Sequence, residues 1–211
     1  MTTKVHYFAG YGRGEALRML LAHAKVDYEN VFYSFADLPK AKESGNLEFG
    51  QLPVLEIDGK FYSQSIAILR FLGNKYGYNP EEPYTAWRVD STIDSIGDLT
   101  NAYYKAAFTS NEDDKAALWK VFYETTYPKW LTVIESRLKS NTTQKFIVGD
   151  KMTIADFLIA AIAYGTFMNE GNANKDVQLA IVEKFPVLLE YVKGLGEELK
   201  EYLAARPVYP W

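Results

Sequence analysis

The sequence predicts an α/β N-terminal domain followed by an all-α C-terminal domain. Strand and helix patterns alternate up to residue 77, a turn-rich linker occupies 78–83, and only helical periodicity follows it. We therefore place the two domains at 1–77 and 84–211. The length of 211 residues suits one large domain or two small ones.

The first domain opens with a β-prone segment at 4–8, which glycines separate from the next element. Apolar residues then recur at helical spacing over 15–24, and 27–33 is again β-prone. This pattern predicts a βαβ unit with parallel strands. Residues 36–45 are polar and predict a loop that includes at most a short helix.

The rest of this domain reads as two strands and a helix. Asp58 and Gly59 form a strong two-residue hairpin signal. They lie between the predicted strands 54–57 and 60–62, and the predicted helix 65–72 follows. The resulting order, βαβ, loop, ββα, is that of a thioredoxin-like domain.

The second domain shows helical patterns and no strand pairs. The sequence from Thr153 to Asp156 predicts an N-terminal capping box, with aspartate at its third position after the cap. The predicted helices are 84–108, 113–139, 154–168, 175–184, 186–195 and 197–205.

Composition excludes several classes of protein. The chain has no cysteine, so disulfide frameworks, thiolate metal sites and a cysteine nucleophile are excluded. A net charge of −4 argues against a nucleic-acid partner. No apolar run reaches the roughly 20 residues that span a bilayer, and no signal core follows the N-terminus. We expect a cytoplasmic protein without a membrane partner.

Tyr7 is the first candidate for chemistry, because it ends a strand just before a glycine-rich turn, where ligands of α/β sheets gather. A phenol there can donate a hydrogen bond to a thiolate and so favour ionisation of the thiol. Lowering a thiol pKa from about 8.5 by two units takes about 2.7 kcal/mol, and a charge-assisted hydrogen bond supplies about 1.5–3 kcal/mol. The alternative is a packing role, the usual one for a tyrosine at the end of a strand.

Two more features lie at the same predicted sheet edge. A cis bond between Leu52 and Pro53 would turn the Leu52 backbone toward solvent, where a peptide could pair with it, although trans is the commoner state. Ser65, preceded by Gln64, opens a helix and either caps it or helps to bind a carboxylate.

Two cations, Arg13 and Lys42, lie near this edge in the predicted fold. Because the net charge is −4, an anionic ligand would need such local positive charges. The alternative is that both are ordinary solvated surface residues.

Together these features resemble the cytosolic glutathione S-transferases. The resemblance covers nearly the whole chain in order and spacing, and among the tyrosine-type classes the sigma class fits best, with mu, alpha and pi as near rivals. The segments that carry it are Tyr7-Phe8, 12–18, 50–59, 64–68 and 153–157.

The resemblance implies roles for matching residues. Tyr7 activates the glutathione sulfur, and Leu52, before a cis Pro53, pairs its backbone with the cysteinyl part. Gln64 and Ser65 hold the γ-glutamyl end. Thr153 and Asp156 would be structural capping residues, not catalytic ones.

The resemblance implies further glutathione contacts, and two positions depart from the family pattern. Arg13 is a candidate glutathione contact, Lys42 and Gln51 resemble contacts to the glycine end, and Asp98 resembles an acid that reaches the glutathione amino group of the other subunit. Leu38 replaces a tryptophan that many relatives use for the glycine carboxylate. Tyr11 stands where a basic residue is common.

The second substrate is expected between the N-terminal edge and the helical domain. The tail 207–211 either folds over this pocket or is a mobile terminal segment. The expected pocket residues are Phe8, Gly10, Arg13, Tyr103, Tyr104 and Phe108.

The resemblance also implies a homodimer, in which Phe49, in the loop before Pro53, either inserts into the partner or does not. Asp94 and Asp98 are present, but position 97 is glycine, so we expect no metal site. We expect no cofactor apart from glutathione as co-substrate.

Three functions remain open at this point. The first is conjugation of glutathione to small hydrophobic electrophiles, as in detoxification. The second is a prostaglandin D-type isomerase that uses the same thiolate, and the third is a non-enzymatic crystallin-like or ligand-carrier protein.

Overall fold

The computed structural model describes residues 2–143 and 145–210. Its four-stranded sheet has the order β2-β1-β3-β4. Strand β1 runs parallel to β2 and antiparallel to β3, which pairs antiparallel with β4. This confirms the predicted βαβ–ββα arrangement. The strands are β1 Thr3–Phe8, β2 Glu29–Tyr33, β3 Val54–Ile57 and β4 Lys60–Ser63.

Helices accompany the sheet and form the second half of the chain, as predicted. In the described part of the chain, no helix is long and apolar enough to cross a membrane. The helices are α1 Glu15–His23, α2 Leu38–Glu43, α3 Ser65–Tyr76, α4 Pro83–Phe108, α5 Glu112–Val121, α6 Tyr127–Ser140, α7 Ile154–Gly165, α8 Lys175–Val182, α9 Pro186–Glu198 and α10 Lys200–Ala205.

The predicted helix 113–139 differs from the structure, because a π-helical turn, Phe122–Thr126, separates α5 from α6. The backbone N–H of Tyr127 donates to the carbonyl of Phe122, five residues earlier. Pro128 follows at once; its ring has no N–H and would crowd the carbonyl four residues back. A wider turn relieves that crowding and places Phe122 and Tyr127 against the cavity described below.

The two halves of the chain share one apolar core. Helix α1 packs against α7, and Leu17, Leu20 and Leu21 of α1 are buried together with Phe157 of α7. The turn after β1 leads directly into α1. The helical half therefore helps to fix the position of that turn.

The capping box at the start of α7 is confirmed. Asp156 is completely buried, and its carboxylate accepts four hydrogen bonds at 2.6–2.9 Å. The donors are the N–H and hydroxyl of Thr153, the N–H of Ile147 and the hydroxyl of Tyr191. This carboxylate thus joins α7, α9 and the loop before α7.

Candidate active site

The strand register brings the predicted site residues to one edge of the sheet. Val54 of β3 lies opposite His6 of β1 and opposite Ser63 of β4. The next residues along these three strands, Tyr7, Pro53 and Gln64, are therefore neighbours at this edge. The Leu52–Pro53 bond is cis, as the resemblance implies.

Tyr7 is buried, with 7% of its surface exposed. Its hydroxyl oxygen accepts a hydrogen bond from the backbone N–H of Arg13 at 3.0 Å. Burial raises the pKa of the Tyr7 phenol, and the Arg13 N–H opposes part of that rise. The phenol therefore stays protonated at neutral pH, and its own O–H is available to a ligand.

Two glycines let the turn after β1 close over the Tyr7 ring. A Cβ atom at Gly12 would lie 2.5 Å from the Tyr7 hydroxyl oxygen, and one at Gly14 would lie 2.8 Å from ring atom Cδ1. Gly12 also has φ +39°, a conformation that side-chain-bearing residues rarely adopt. Any larger residue at either position would displace the phenol.

Arg18 anchors this turn from the protein interior. Its guanidinium donates to the carbonyl of Gly10 at 2.7 Å and to the Oδ1 atom of Asn30 at 2.9 Å. The same guanidinium pairs with buried Glu15 at 3.1 Å. Glu15 also pairs with Arg206, near the end of the chain, at 2.5 Å. This network connects the turn to both β2 and the C-terminal segment.

The start of α3 differs from the sequence-based prediction in one respect. Gln64, not Ser65, occupies the N-cap position, and no side-chain cap hydrogen bond is present there. Gln64 has φ 70°, an unusual value for a residue with a side chain, which costs about 1–3 kcal/mol. The Gln64 side chain therefore does not cap the first N–H groups of α3. These N–H groups can instead bind an anionic ligand.

Lys42 and Gln51 lie near the loop that leads to Pro53. The Lys42 side chain runs beside Gly50, whose Cβ position would be 3.6 Å from the Lys42 Cε atom. Gln51 is exposed and Pro53 is buried. Both polar side chains, Lys42 and Gln51, are exposed and thus accessible to a ligand.

A cavity of about 390 Å³ extends from this edge into the helical half. Arg13, Gln64 and Ser65 contribute its N-terminal side. The Arg13 guanidinium lies 5.3 Å from the centre of the Tyr104 ring, a cation–π contact across the two halves. Apolar residues of the helical half in its lining include Ile96, Leu99, Leu158 and Ile162.

The structure brings together only part of the predicted electrophile pocket. Arg13, Tyr103 and Tyr104 line the cavity. Phe8, Gly10 and Phe108 lie outside this lining. Phe8 packs against Phe35 with ring centres 4.7 Å apart, the carbonyl of Gly10 accepts from Arg18, and Phe108 is 81% exposed at the end of α4.

The remaining candidates lie at the surface or next to the site. Asp98 is exposed on α4, beside Gly97, which lines the cavity. Leu38 begins α2 and is half-buried. Phe49 is 58% exposed in the loop before Pro53.

The described part of the tail folds back onto the cavity, and Pro210 contributes to its lining. The Tyr11 hydroxyl donates to the carbonyl of Pro207 at 3.0 Å and accepts from the N–H of Tyr209 at 3.1 Å. The side-chain amide of Asn169 donates to the carbonyl of Tyr209 at 2.9 Å. Trp211, which belonged to the predicted lid, lies outside the described residues.

Comparison with known families agrees with this geometry. Residues 3–74 match the model of the glutathione S-transferase N-terminal domain, and residues 97–206 match that of the glutathione S-transferase C-terminal domain. The chain belongs to the glutathione S-transferase family.

Relatives cover the chain almost completely. It is 32% identical to probable glutathione S-transferase 6 of Caenorhabditis elegans, over 99% of this chain and 98% of the relative. Among solved structures, monomeric Na-GST-3 of Necator americanus superposes with a TM-score of 0.84 at 29% identity, covering all of both chains. Prostaglandin synthase D of Nilaparvata lugens superposes with a TM-score of 0.86 at 26% identity, covering 99% of this chain and 100% of that one.

For this glutathione S-transferase, the bonds between Tyr11 and the tail lead to a prediction. Tyr11→Phe removes the hydroxyl that holds both Pro207 and Tyr209. We expect the KM for the electrophile to rise about fivefold or more, because the two lost hydrogen bonds contribute about 0.5–1.5 kcal/mol each, while the KM for glutathione stays unchanged. Steady-state kinetics with each substrate varied in turn measures this.

Tyr209→Phe is the matched control, because the main-chain bond to Tyr11 does not depend on the Tyr209 side-chain hydroxyl. This variant is expected to keep the wild-type KM for both substrates. An unchanged electrophile KM in Tyr11→Phe would show that the tail does not shape the pocket.

Proposed function

We propose that this protein conjugates the thiolate of glutathione to small hydrophobic electrophiles. The observation that carries the proposal is the protonated Tyr7 hydroxyl, fixed by the Arg13 N–H beside a largely apolar cavity. Membership of the glutathione S-transferase family supports the choice of glutathione as the thiol.

In the proposed mechanism, the Tyr7 O–H donates to the glutathione sulfur. Because burial keeps the phenol neutral, the hydrogen bond favours the thiolate over the thiol. A bond to a charged acceptor supplies about 1.5–3 kcal/mol, which lowers a thiol pKa by about one to two units. The Arg13 N–H that bonds to the phenol oxygen strengthens the phenol as a donor.

We propose that glutathione lies along the sheet edge. The Leu52 backbone would pair with its cysteinyl part, and the α3 start at Gln64 and Ser65 would bind the γ-glutamyl carboxylate. Lys42 and Gln51 would contact the glycine end. Because Leu38 cannot donate a hydrogen bond, Lys42 would carry more of that contact.

The proposed binding mode also involves Arg13 and the second subunit of a homodimer. The Arg13 cation at the cavity edge would add positive potential for the thiolate and its neighbouring carboxylates. We propose a homodimer of the sigma type in the cytoplasm, with Asp98 reaching the glutathione of the partner subunit. Exposed Phe49 is a candidate for insertion into the partner subunit. Neither a metal nor a further cofactor takes part in this mechanism.

The electrophile would occupy the cavity next to the sulfur. Its lining of Tyr103, Tyr104 and aliphatic residues favours an apolar molecule. Holding both reactants in one cavity adds the rate gain of an intramolecular reaction.

A second candidate is a glutathione-dependent prostaglandin D-type isomerase. The likeness to prostaglandin synthase D of Nilaparvata lugens favours it, and the same thiolate would serve without being consumed. Product analysis with an endoperoxide substrate separates the two activities, because conjugation consumes glutathione and isomerisation returns it. A crystallin-like or carrier role would not require the arrangement around Tyr7.

Conjugation of chlorodinitrobenzene tests the proposal, and Ser65→Ala tests the binding mode. We expect the wild type to turn over and Ser65→Ala to raise the KM for glutathione about tenfold, because a hydrogen bond to a carboxylate contributes about 1.5 kcal/mol. Ser65→Thr, which keeps the hydroxyl, should restore most of the affinity. An inactive wild type with normal folding would refute the conjugating function.

A further inference from the structure

The cavity has a second polar end, away from Tyr7. A series of ring contacts leads there from Arg13 across the helical half. The Arg13 guanidinium lies over the Tyr104 ring, and the Tyr104 ring contacts that of Tyr103, with ring centres 5.9 Å apart. The Tyr103 ring contacts that of Phe122, and the Phe122 ring stacks on that of Tyr127, with ring centres 5.6 Å apart in both pairs. The Tyr127 end of the cavity is therefore several rings away from the proposed sulfur position.

Tyr127 lines this far end and is 4% exposed. Within residues 2–143 and 145–210, its hydroxyl has no hydrogen-bond partner. Burial raises the pKa of Tyr127 far above its ordinary value, so the group is a neutral donor at all physiological pH values. Because it bonds to no other described group, this hydroxyl can donate to an acceptor bound in the cavity without breaking an existing hydrogen bond.

Neighbouring groups add donors at the same end. The Gln178 side chain is 3% exposed, accepts from the Asn172 amide at 2.9 Å and donates to the Tyr123 hydroxyl at 3.4 Å. Each of these amide nitrogens carries two hydrogens and uses one of them in these bonds. Tyr103 adds a further hydroxyl whose pKa burial also raises.

The charge of this end restricts the kind of ligand. Among the described residues that line the cavity, Arg13 is the charged one, and it lies at the Tyr7 end. A carboxylate at the far end would lose its hydration without gaining a counter-charge. A neutral oxygen, such as that of a carbonyl, ester or hydroxyl, avoids this cost and still accepts the free donors.

We propose that Tyr127, with Tyr103, Gln178 and Asn172, forms a hydrogen-bonding subsite for a neutral oxygen of the second substrate. The substrate class is then an electrophile whose reactive carbon and oxygen acceptor lie at opposite ends of an apolar body. Aliphatic side chains between the two ends, including Leu158 and Ile162, would contact that body. This inference rests on the proposed conjugating function and specifies its substrate.

The test uses α,β-unsaturated aldehydes with the same reactive end and alkyl chains of matched length. The far end of the chain is a methyl ester, an alkyl group of equal size or a carboxylate, and several chain lengths are compared. In each reaction the thiolate sulfur bonds to the β-carbon, the carbon–carbon π bond breaks, and the α-carbon takes a proton from solvent.

For the wild type we expect kcat/KM to be about tenfold higher with the ester than with the alkyl compound at the best-fitting length, and lowest with the carboxylate. Tyr127→Phe should lower the ester value to that of the alkyl compound and leave the alkyl value unchanged. Tyr62→Phe is the control, since the Tyr62 ring stacks on Phe71 and lies outside the cavity lining; it should preserve the ester preference.

Equal ester and alkyl values in the wild type would overturn the inference, as would an equal loss for both compounds in Tyr127→Phe. Loss of the ester preference in Tyr62→Phe to the same extent would also overturn it. Chlorodinitrobenzene is assayed in parallel. If chlorodinitrobenzene is conjugated but the ester preference is absent, the subsite is refuted and the conjugating function stands. If no electrophile reacts, the proposed conjugating function itself is refuted.

Discussion

Tyr7→Phe is expected to lower kcat/KM for conjugation about a hundredfold while glutathione binds almost as tightly as to the wild type. The ring that packs under Gly12 and Gly14 stays in place, and only the hydroxyl is lost. Because the hydroxyl favours the thiolate by about 1.5–3 kcal/mol, its loss removes most of the reactive ionised form at neutral pH. Steady-state kinetics and calorimetric titration of glutathione measure the two effects.

Tyr62→Phe serves as the control for this variant. Tyr62 lies in the same sheet, where its ring stacks on Phe71 rather than lining the cavity. This variant should keep wild-type turnover. Unchanged turnover in Tyr7→Phe would remove Tyr7 from the mechanism.

Asp156→Ala is expected to lower the free energy of unfolding by about 3–5 kcal/mol, the largest stability effect that we predict. The substitution leaves four buried donors, on Thr153, Ile147 and Tyr191, without their acceptor. Each unpaired buried group costs about 1–3 kcal/mol, and relaxation of the loop before α7 recovers part of the sum. Denaturant unfolding followed by circular dichroism measures the loss.

Asp156→Asn keeps one acceptor oxygen and the same shape, so an intermediate loss is expected. An unfolding midpoint for Asp156→Ala equal to that of the wild type would show that the buried carboxylate does not hold α7, α9 and the preceding loop together. Activity at low temperature should survive in whatever fraction remains folded, because Asp156 does not line the cavity.

Local patterns were sufficient to predict most of the fold. The hairpin at Asp58 and Gly59 has both residues at positive φ, 47° and 79°, as its sequence requires. The periodicity of 113–139 predicts a helix but carries no signal for the π turn. That turn depends on the steric demand of Pro128 in a helix that already packs on its neighbours.

The site was predictable where it depends on strand order and harder where it depends on distant contacts. Tyr7, Pro53 and Gln64 meet because three short strands end at one edge. Glu15 and Arg206 form an ion pair although they are 191 residues apart in the sequence, and no local pattern predicts such a pair. The φ value of Gln64 likewise follows from the way β4 joins α3, not from its residue type.

The outer boundary of the cavity could not be read from residue type. Phe8 and Phe108 are aromatic and near the site in sequence, yet Phe8 packs on Phe35 and Phe108 faces solvent. Tyr127 and Gln178 reach the cavity through the π turn and the packing of α8. Their contribution follows from tertiary structure alone.

The central claim concerns the ionisation of one thiol, which the ultraviolet absorbance of thiolate reports directly. Glutathione bound to the wild type should titrate with a pKa about two units below the ordinary thiol value of about 8.5, and in Tyr7→Phe the bound thiol should return close to that value. A bound thiol that titrates near 8.5 in the wild type, or equally low in both proteins, would contradict the role assigned to the phenol.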